Sequence, residues 1–488
     1  MKIKIKHSTE MVITLLFDVL CFYTALIFAY YFRLYILPAY FFKPYYSFKH
    51  PLMQYIRYWW FPLVVIGNFF IHNLYKFRYP FWDEAGRIIR SVLQSSIIML
   101  SIITLGKISN EVSRFLMVIM TVFAVFLFPL SRLFLKKILY RFTYFQRNII
   151  IIGEIEECML LKIGIFREKH LGFKIIGFFL IDASRKSSAL RSFLKECKKD
   201  SITVYSNIKN LLSVVDTHFI ETIFIAENIR LKEIINLVYI RSKNTGLNIN
   251  IVPKLKGVAL MNTELLHLLN EEIFILDIVD NLKSRVNIII KNTFDYVLAV
   301  VLTVLSIPFM LAVGILIKID SRGPVFFSHG RVGRGGRKIA IYKFRTMYED
   351  AEERLKKILK NKKFKTEYNT YYKLKKDPRI TTIGKFLRRT SLDELPQLFN
   401  VIKGEMAIVG PRPVKEEELI KYYKVYREYY ESVKPGITGM WQISGRNDLT
   451  YEERVRYDVN YVMNWSLWLD IILLLKTVRI LFRSEGAY

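Results

Sequence analysis

The sequence predicts a membrane protein of mixed α and α/β class: four N-terminal transmembrane helices, a degenerate Rossmann-like α/β domain, and a mainly helical C-terminal domain with a re-entrant membrane helix and interfacial amphipathic helices. Three observations carry this. The 488 residues are 52% hydrophobic, with 36 Phe, 30 Tyr and a mean hydropathy of +0.22, too apolar and too long for one water-soluble domain. Apolar runs of spanning length cluster near the start and recur once after residue 290. Between them, short β-rich runs alternate with helical stretches, as a parallel α/β sheet requires. The expected domains are 1–145, 146–276 and 277–488, with the re-entrant segment at 286–319.

Charge narrows the partners. With 73 Lys+Arg against 43 Asp+Glu the chain carries +30, which suits nucleic acid, anionic lipid or phosphorylated substrates. The apolar segments favour lipid and phosphate, and no zinc-finger or RNP pattern supports nucleic acid. Cys21, Cys158 and Cys197 are widely spaced and form neither a disulfide framework nor a metal knuckle.

The first expected span, Met11 to Phe32, has about the 20 residues needed to cross ~30 Å of hydrocarbon, and no cleavage site follows it. Tyr58 to Leu74, Ile88 to Leu105 and Phe115 to Leu135 follow, with Trp59, Trp60, Tyr75 and Trp82 as interfacial aromatics. Lys2, Lys4 and Lys6, then Lys76, Arg78, Arg87 and Arg90, then Arg132 to Arg147 mark the cytoplasmic loops; Arg33, Lys43, Lys49 and Arg57 blur that asymmetry.

The middle strands are NIIIIGE, FKIIGFFLID, SITVYS, TIFIAE and LNINIVP. After Gly153 a dinucleotide fold needs G-x-G-x-x-G, but Glu154 and Glu156 stand there and repel a pyrophosphate, so no cofactor is expected. Past a link at Leu276 to Arg285, Phe294 to Asp320 is long enough to span. Basic residues flank both its ends and Pro308 sits inside, which favours a helix-break-helix that enters and leaves on one face.

Two stretches carry chemistry. Gly323 to Met347 sets Arg331, Arg334, Arg337, Lys338, Lys343 and Arg345 around Gly333, Gly335 and Gly336; glycine frees N–H groups and guanidinium forks pair with phosphate, although a membrane-surface hairpin explains them equally well. Asp377 to Pro413 mixes Asp393 and Glu394 with Arg379, Arg388, Arg389 and Arg412. Ser391 and Glu394 have capping-box spacing, which explains Glu394 but not Asp393, and a helix N-terminus favours an ionised carboxylate.

Lys318 to Pro413 with SLDELPQLFNV and VGPRP, PGITGMWQISGR from Pro435 to Arg446, and Tyr457-Asp458 resembles the bacterial sugar transferase family of polyprenyl-phosphate sugar-1-phosphate transferases. The layout resembles its long members. The resemblance implies that Asp393 attacks the β-phosphate of a UDP-sugar, UMP leaves, and undecaprenyl phosphate takes the sugar phosphate. It implies Glu394 as ligand of a required Mg²⁺, which suits a hard cation held by few carboxylates and substrate phosphates. Lys343, Arg345, Arg388 and Arg412 are expected on substrate phosphates, with Arg446 and Asp458 as further candidates.

The family's re-entrant helix breaks at Ser-Pro, where this chain has Ser306-Ile307-Pro308. Glu416 to Lys434 and Trp465 to Phe482 read as interfacial helices. The resemblance also implies the bacterial inner (cytoplasmic) membrane, the C-terminal domain on its cytoplasmic face, and envelope polysaccharide as the end use. The middle domain could serve as a homodimer contact. Two other readings remain: a membrane-anchored nucleotide-sugar dehydratase, which lacks its Gly-rich loop here, and a non-catalytic scaffold, against which the carboxylate pair argues.

Overall fold

The computed structural model describes residues 2–37, 51–106, 111–181, 188–226, 247–252, 263–268, 273–278, 281–360, 377–444 and 449–483. It divides into two compact units, Met1–Lys254 and Leu255–Tyr488.

The first unit opens with apolar helices α1 (Lys2–Tyr31), α2 (Trp60–Ile71), α3 (Phe81–Leu105) and α4 (Arg114–Leu139). Three are long and apolar enough to cross a membrane. α2 is equally apolar but has 12 residues, about 18 Å at 1.5 Å per residue, shorter than the span expected over Tyr58 to Leu74. The chain turns at Arg57–Trp59 and again after Ile71, where Asn73 has a positive φ. Phe22, Phe61, Phe69 and Phe128 fill the bundle.

Charges inside the bundle are paired. Arg132 on α4 sends Nε and Nη2 to the two oxygens of Asp18 on α1 at 2.9 and 2.6 Å, and Lys136 reaches Glu84 at 2.7 Å. Tyr75, expected at the lipid interface, instead donates its hydroxyl to Asp18 at 2.8 Å. Pairing is obligatory here because an isolated charge in apolar surroundings costs several kcal/mol.

All five expected strands form one parallel sheet: β1 (Arg147–Gly153), β2 (Phe173–Leu180), β3 (Thr203–Tyr205), β4 (Thr222–Ala226) and β5 (Asn248–Ile251), in the order β3-β2-β1-β4-β5. This is the doubly wound order, with its switch point beside β1. Helix Ile155–Arg167 follows β1 with Glu156 and Glu157 in its first turn, where they complement the helix dipole. The sheet is tied to the bundle: Arg78 donates to the carbonyls of Phe145, Leu171 and Gly172 and pairs with Glu10. Gly172 has φ +62°, and a Cβ there would lie 2.5 Å from the Tyr140 ring, so only glycine fits this contact.

In the second unit α5 runs unbroken from Arg285 to Asp320 with Pro308 inside it, where the sequence predicts a helix-break-helix. Pro308 frees the carbonyl of Val304, whereas the Ser306 hydroxyl donates to Thr303 O at 3.1 Å, one residue too early to replace the lost bond. α5 buries one stripe, Asp295, Ala299, Thr303, Met310, Val313 and Ile317, and exposes Val301, Val304, Leu305, Leu311, Ile315 and Ile319. Both ends of the stripe dock on the same domain. Lys291 Nζ donates to Val409 O at 3.0 Å and to Asp470 at 2.8 Å, while Asp320 accepts the Ile383 N–H at 2.9 Å.

Replacing Asp18 by Leu leaves Arg132 and Lys136 facing Glu84 alone, at an expected cost of roughly 3–5 kcal/mol. Thermal unfolding in detergent should show that loss, and adding Arg132→Met to the same chain should recover most of it.

Candidate active site

The basic stretch after α5 is an antiparallel hairpin of β6 (Phe326–Val332) and β7 (Lys338–Phe344), whose glycines make the tip, with Gly335 and Gly336 at positive φ. The stretch is thus a β-hairpin in form. What the hairpin contributes is Lys343, carried on β7 toward the next segment.

That segment is α6 (Thr382–Thr390), which stops at Ser391 in the left-handed conformation, φ 58°. A non-glycine residue there reverses the chain abruptly. Leu392–Glu394 then form a 3-10 turn before α7 (Gln397–Ile402). The expected capping box is absent: Ser391 makes no side-chain cap, and Glu394 turns to Lys343, Nζ to Oε1 2.6 Å. Lys343 lies 3.8 Å from Asp393 Oδ2, and Arg412 lies 3.6 Å from Glu394 Oε1.

Burial raises the Asp393 pKa, with Glu394 adding to it and Lys343 and Arg388 opposing. The helix-dipole argument for a readily ionised Asp393 therefore fails, since a single 3-10 turn supplies little dipole and desolvation wins. Burial also acts on Glu394, but Lys343 and Arg412 outweigh it and hold that carboxyl below its ordinary range. The adjacent carboxylates are thus driven apart, one toward the neutral acid and one firmly ionised.

Arg412 is set by a backbone contact. β8 (Ala407–Val409) pairs in parallel with β9 (Gly436–Thr438), and Gly410 meets Gly436 so closely that a Cβ on Gly436 would lie 2.1 Å from Gly410 N. From there Arg412 stacks over Trp441, 5.6 Å to the ring centroid. Arg388 donates Nε to Thr346 Oγ1 at 2.9 Å. Asp393, Glu394, Lys343, Arg388 and Arg412 line one cavity of about 2680 Å³, whose wall also takes in Leu305 and Ser306 from α5.

Two expected site residues have other employment. Arg345 is largely buried and gives both terminal nitrogens to the carbonyls of Ser321 and Arg322, closing the C-terminal end of α5, while it also lines the cavity and keeps its Nε without a partner. Asp458, on α8 (Tyr451–Met463), lies in the core, accepts the Tyr423 hydroxyl at 2.7 Å, and is pushed by burial up to about 8, with Tyr423 and Arg412 opposing. Arg446 lies outside the described residues. Asp470, which reads in sequence as a break in an interfacial helix, is fully buried on α9 (Leu467–Arg483) and holds Lys291, Tyr461 and Trp465.

Sequence reasoning missed His329 on β6. It lines the cavity, and burial with the nearby charges of Arg331, Lys343 and Arg412 lowers its pKa to about 4, leaving a neutral imidazole. A lone histidine outside any metal-like spacing gives no signal of this. Four further lining residues, Trp441, Tyr422, Tyr451 and Arg454, were also unmarked.

An apolar face beside a cavity of paired carboxylates and cations defines a membrane-associated transferase acting on anionic groups. Comparison with known proteins agrees. Residues 286–484 match the bacterial sugar transferase family, and residues 75–253 match a family described as a CoA-binding domain. The undecaprenyl-phosphate galactose phosphotransferase of Salmonella typhimurium is 36% identical over 432 residues, 87% of each chain. The UDP-galactose-lipid carrier transferase of Erwinia amylovora is 36% identical over 429 residues, 87% of each. The UDP-glucose:undecaprenyl-phosphate glucose-1-phosphate transferase of Xanthomonas campestris is 32% identical over 350 residues, 69% of this chain and 66% of its own. The chain belongs to the bacterial sugar transferase family, in its long form.

Asp458 gives a pH test. Its pKa rises from about 3.9 unfolded to about 8 folded, so the folded state binds the extra proton between those values and stability falls as pH rises through that window. Asp458→Asn should flatten this fall, read as melting temperature against pH; an unchanged slope would contradict it.

Proposed function

We propose that the chain transfers a hexose-1-phosphate from a UDP-sugar to undecaprenyl phosphate, giving a polyprenyl-diphosphate-linked sugar and UMP. The observation that carries this is the divided carboxylate pair in a cationic cavity whose wall includes the apolar helix α5. An Asp393 oxygen attacks the β-phosphorus, the bond from that phosphorus to the oxygen bridging the α-phosphate breaks, and UMP departs. An oxygen of the lipid phosphate then attacks the same phosphorus and releases the Asp393 carboxylate. Lys343, Arg388 and Arg412 neutralise the phosphate charge that accumulates.

The pair also fits Mg²⁺. Among the described residues no cluster of three or more His, Cys, Asp or Glu exists, which suits an ion completed by substrate oxygens. Lys343 and Arg412 both contact Oε1 of Glu394, so its second oxygen remains for such an ion, with Asp393 beside it. When bound, Mg²⁺ supplies charge neutralisation at the diphosphate.

The same reading places the enzyme in the bacterial inner membrane with its site on the cytoplasmic face, in envelope polysaccharide assembly. Docking of both ends of α5 on one domain supports a re-entrant course, because a straight span would pull that charged domain into lipid. Helix Leu467–Arg483, with Leu475 and Val478 exposed, supports an interfacial position. Galactose is the sugar we put first, since two of the three relatives matched over 87% of the chain carry it in their names.

Purified protein with undecaprenyl phosphate and Mg²⁺ should release UMP from a UDP-hexose, and Asp393→Asn should abolish release while melting as the parent does. Undiminished release from Asp393→Asn would sink the assignment. Because Asp393 must be ionised to attack, kcat/KM should fall as pH drops through a pKa above the ordinary carboxylate range.

A further inference from the structure

Away from the site, the first unit has a recess of about 220 Å³ where the helix bundle meets the sheet, lined by His7, Glu10, Lys76, Arg78, Lys136 and Arg147. Most of these charges already have partners. Glu10 takes Arg78 at 2.7 Å, Lys136 takes Glu84 at 2.7 Å, and His7 meets Glu221 at 2.7 Å. Arg147 is the cation in excess. Its side chain is 11% exposed, its Nε is buried with no hydrogen-bond partner, and among the described residues its one ion pair is to Glu10 at 3.7 Å, beyond hydrogen-bond reach. Arg78 Nε is likewise buried without a partner. A guanidinium desolvated to this degree and left without hydrogen bonds is costly unless an anion completes it, and its fork matches the oxygens of a phosphate.

Position favours lipid as the source. The recess is lined by Lys76 and Arg78 from the loop after α2 and by Lys136 near the end of α4, segments the charge pattern assigns to the cytoplasmic side, and basic pockets between helices at that depth suit phospholipid head groups. Ser8 and Lys76 are exposed, so the recess reaches the surface. We infer that the recess binds the phosphate of an anionic phospholipid, held by Arg147 with Lys76 at the rim, and that the bound lipid braces α1, α4 and β1 together. This stands independently of the proposed reaction.

The test uses delipidated full-length protein and native mass spectrometry with phosphatidylglycerol or phosphatidylcholine, plus a melting arm with inorganic phosphate. One phosphatidylglycerol should be retained in preference to phosphatidylcholine. Arg147→Gln should weaken it roughly tenfold or more, and Lys76→Gln roughly fivefold. Stabilisation by inorganic phosphate that Arg147→Gln abolishes would support the phosphate site while assigning it to a soluble ligand. Should Arg147→Gln fail to fold, the exposed Lys76→Gln carries the same reading. Equal retention of both lipids, variants that bind as the parent does, or no response to either lipid or phosphate would overturn the inference.

Discussion

Lys343 holds Glu394 at 2.6 Å and stays 3.8 Å from Asp393, and this unequal sharing of one ammonium organises the site. The contact joins β7 to the 3-10 turn after α6, two segments about fifty residues apart in sequence. It keeps Glu394 ionised in a half-buried setting. At Asp393 the charges of Lys343 and Arg388 do not offset burial, so desolvation governs that carboxyl instead.

The rest of the C-terminal unit serves to hold those two segments. Arg345 fastens the end of α5, Asp320 caps α6 through the Ile383 N–H, and Asp470 gathers Lys291, Tyr461 and Trp465 in the core. Arg345 and Asp470 are charged residues taken out of water and held by partners, and Asp320, half-buried, is bonded in the same way. In the first unit Arg132 with Asp18 and Lys136 with Glu84 follow the same rule. In surroundings this apolar, a charge either has a partner or serves a ligand, and that division separates scaffold from site.

Much was legible in the sequence because periodicity and composition are local. The five strands of the middle sheet, the long apolar helices and the carboxylate pair all announced themselves in short windows. Roles that depend on what a side chain meets across the fold were not legible. Arg345 and Arg388 both line the cavity, yet Arg345 closes a helix end through the Ser321 and Arg322 carbonyls whereas Arg388 bonds the Thr346 hydroxyl. Ser391 and Glu394 have capping-box spacing, but the left-handed turn at Ser391 removed the helix they would have capped.

The sequence by itself determined the family and the order of apolar helices, parallel sheet and transferase segment, and it put Asp393 and Glu394 side by side, because motif and hydropathy reside in neighbouring residues. Tertiary structure decided which of the two carboxylates is held ionised and which is desolvated. It also decided that Asp458 is buried against Tyr423, that Arg345 bonds the end of α5, that His329 joins the cavity as a neutral ring, and that α5 keeps one apolar face exposed along its length. These are matters of distance and solvent access, and both arise only when segments remote in sequence are packed together.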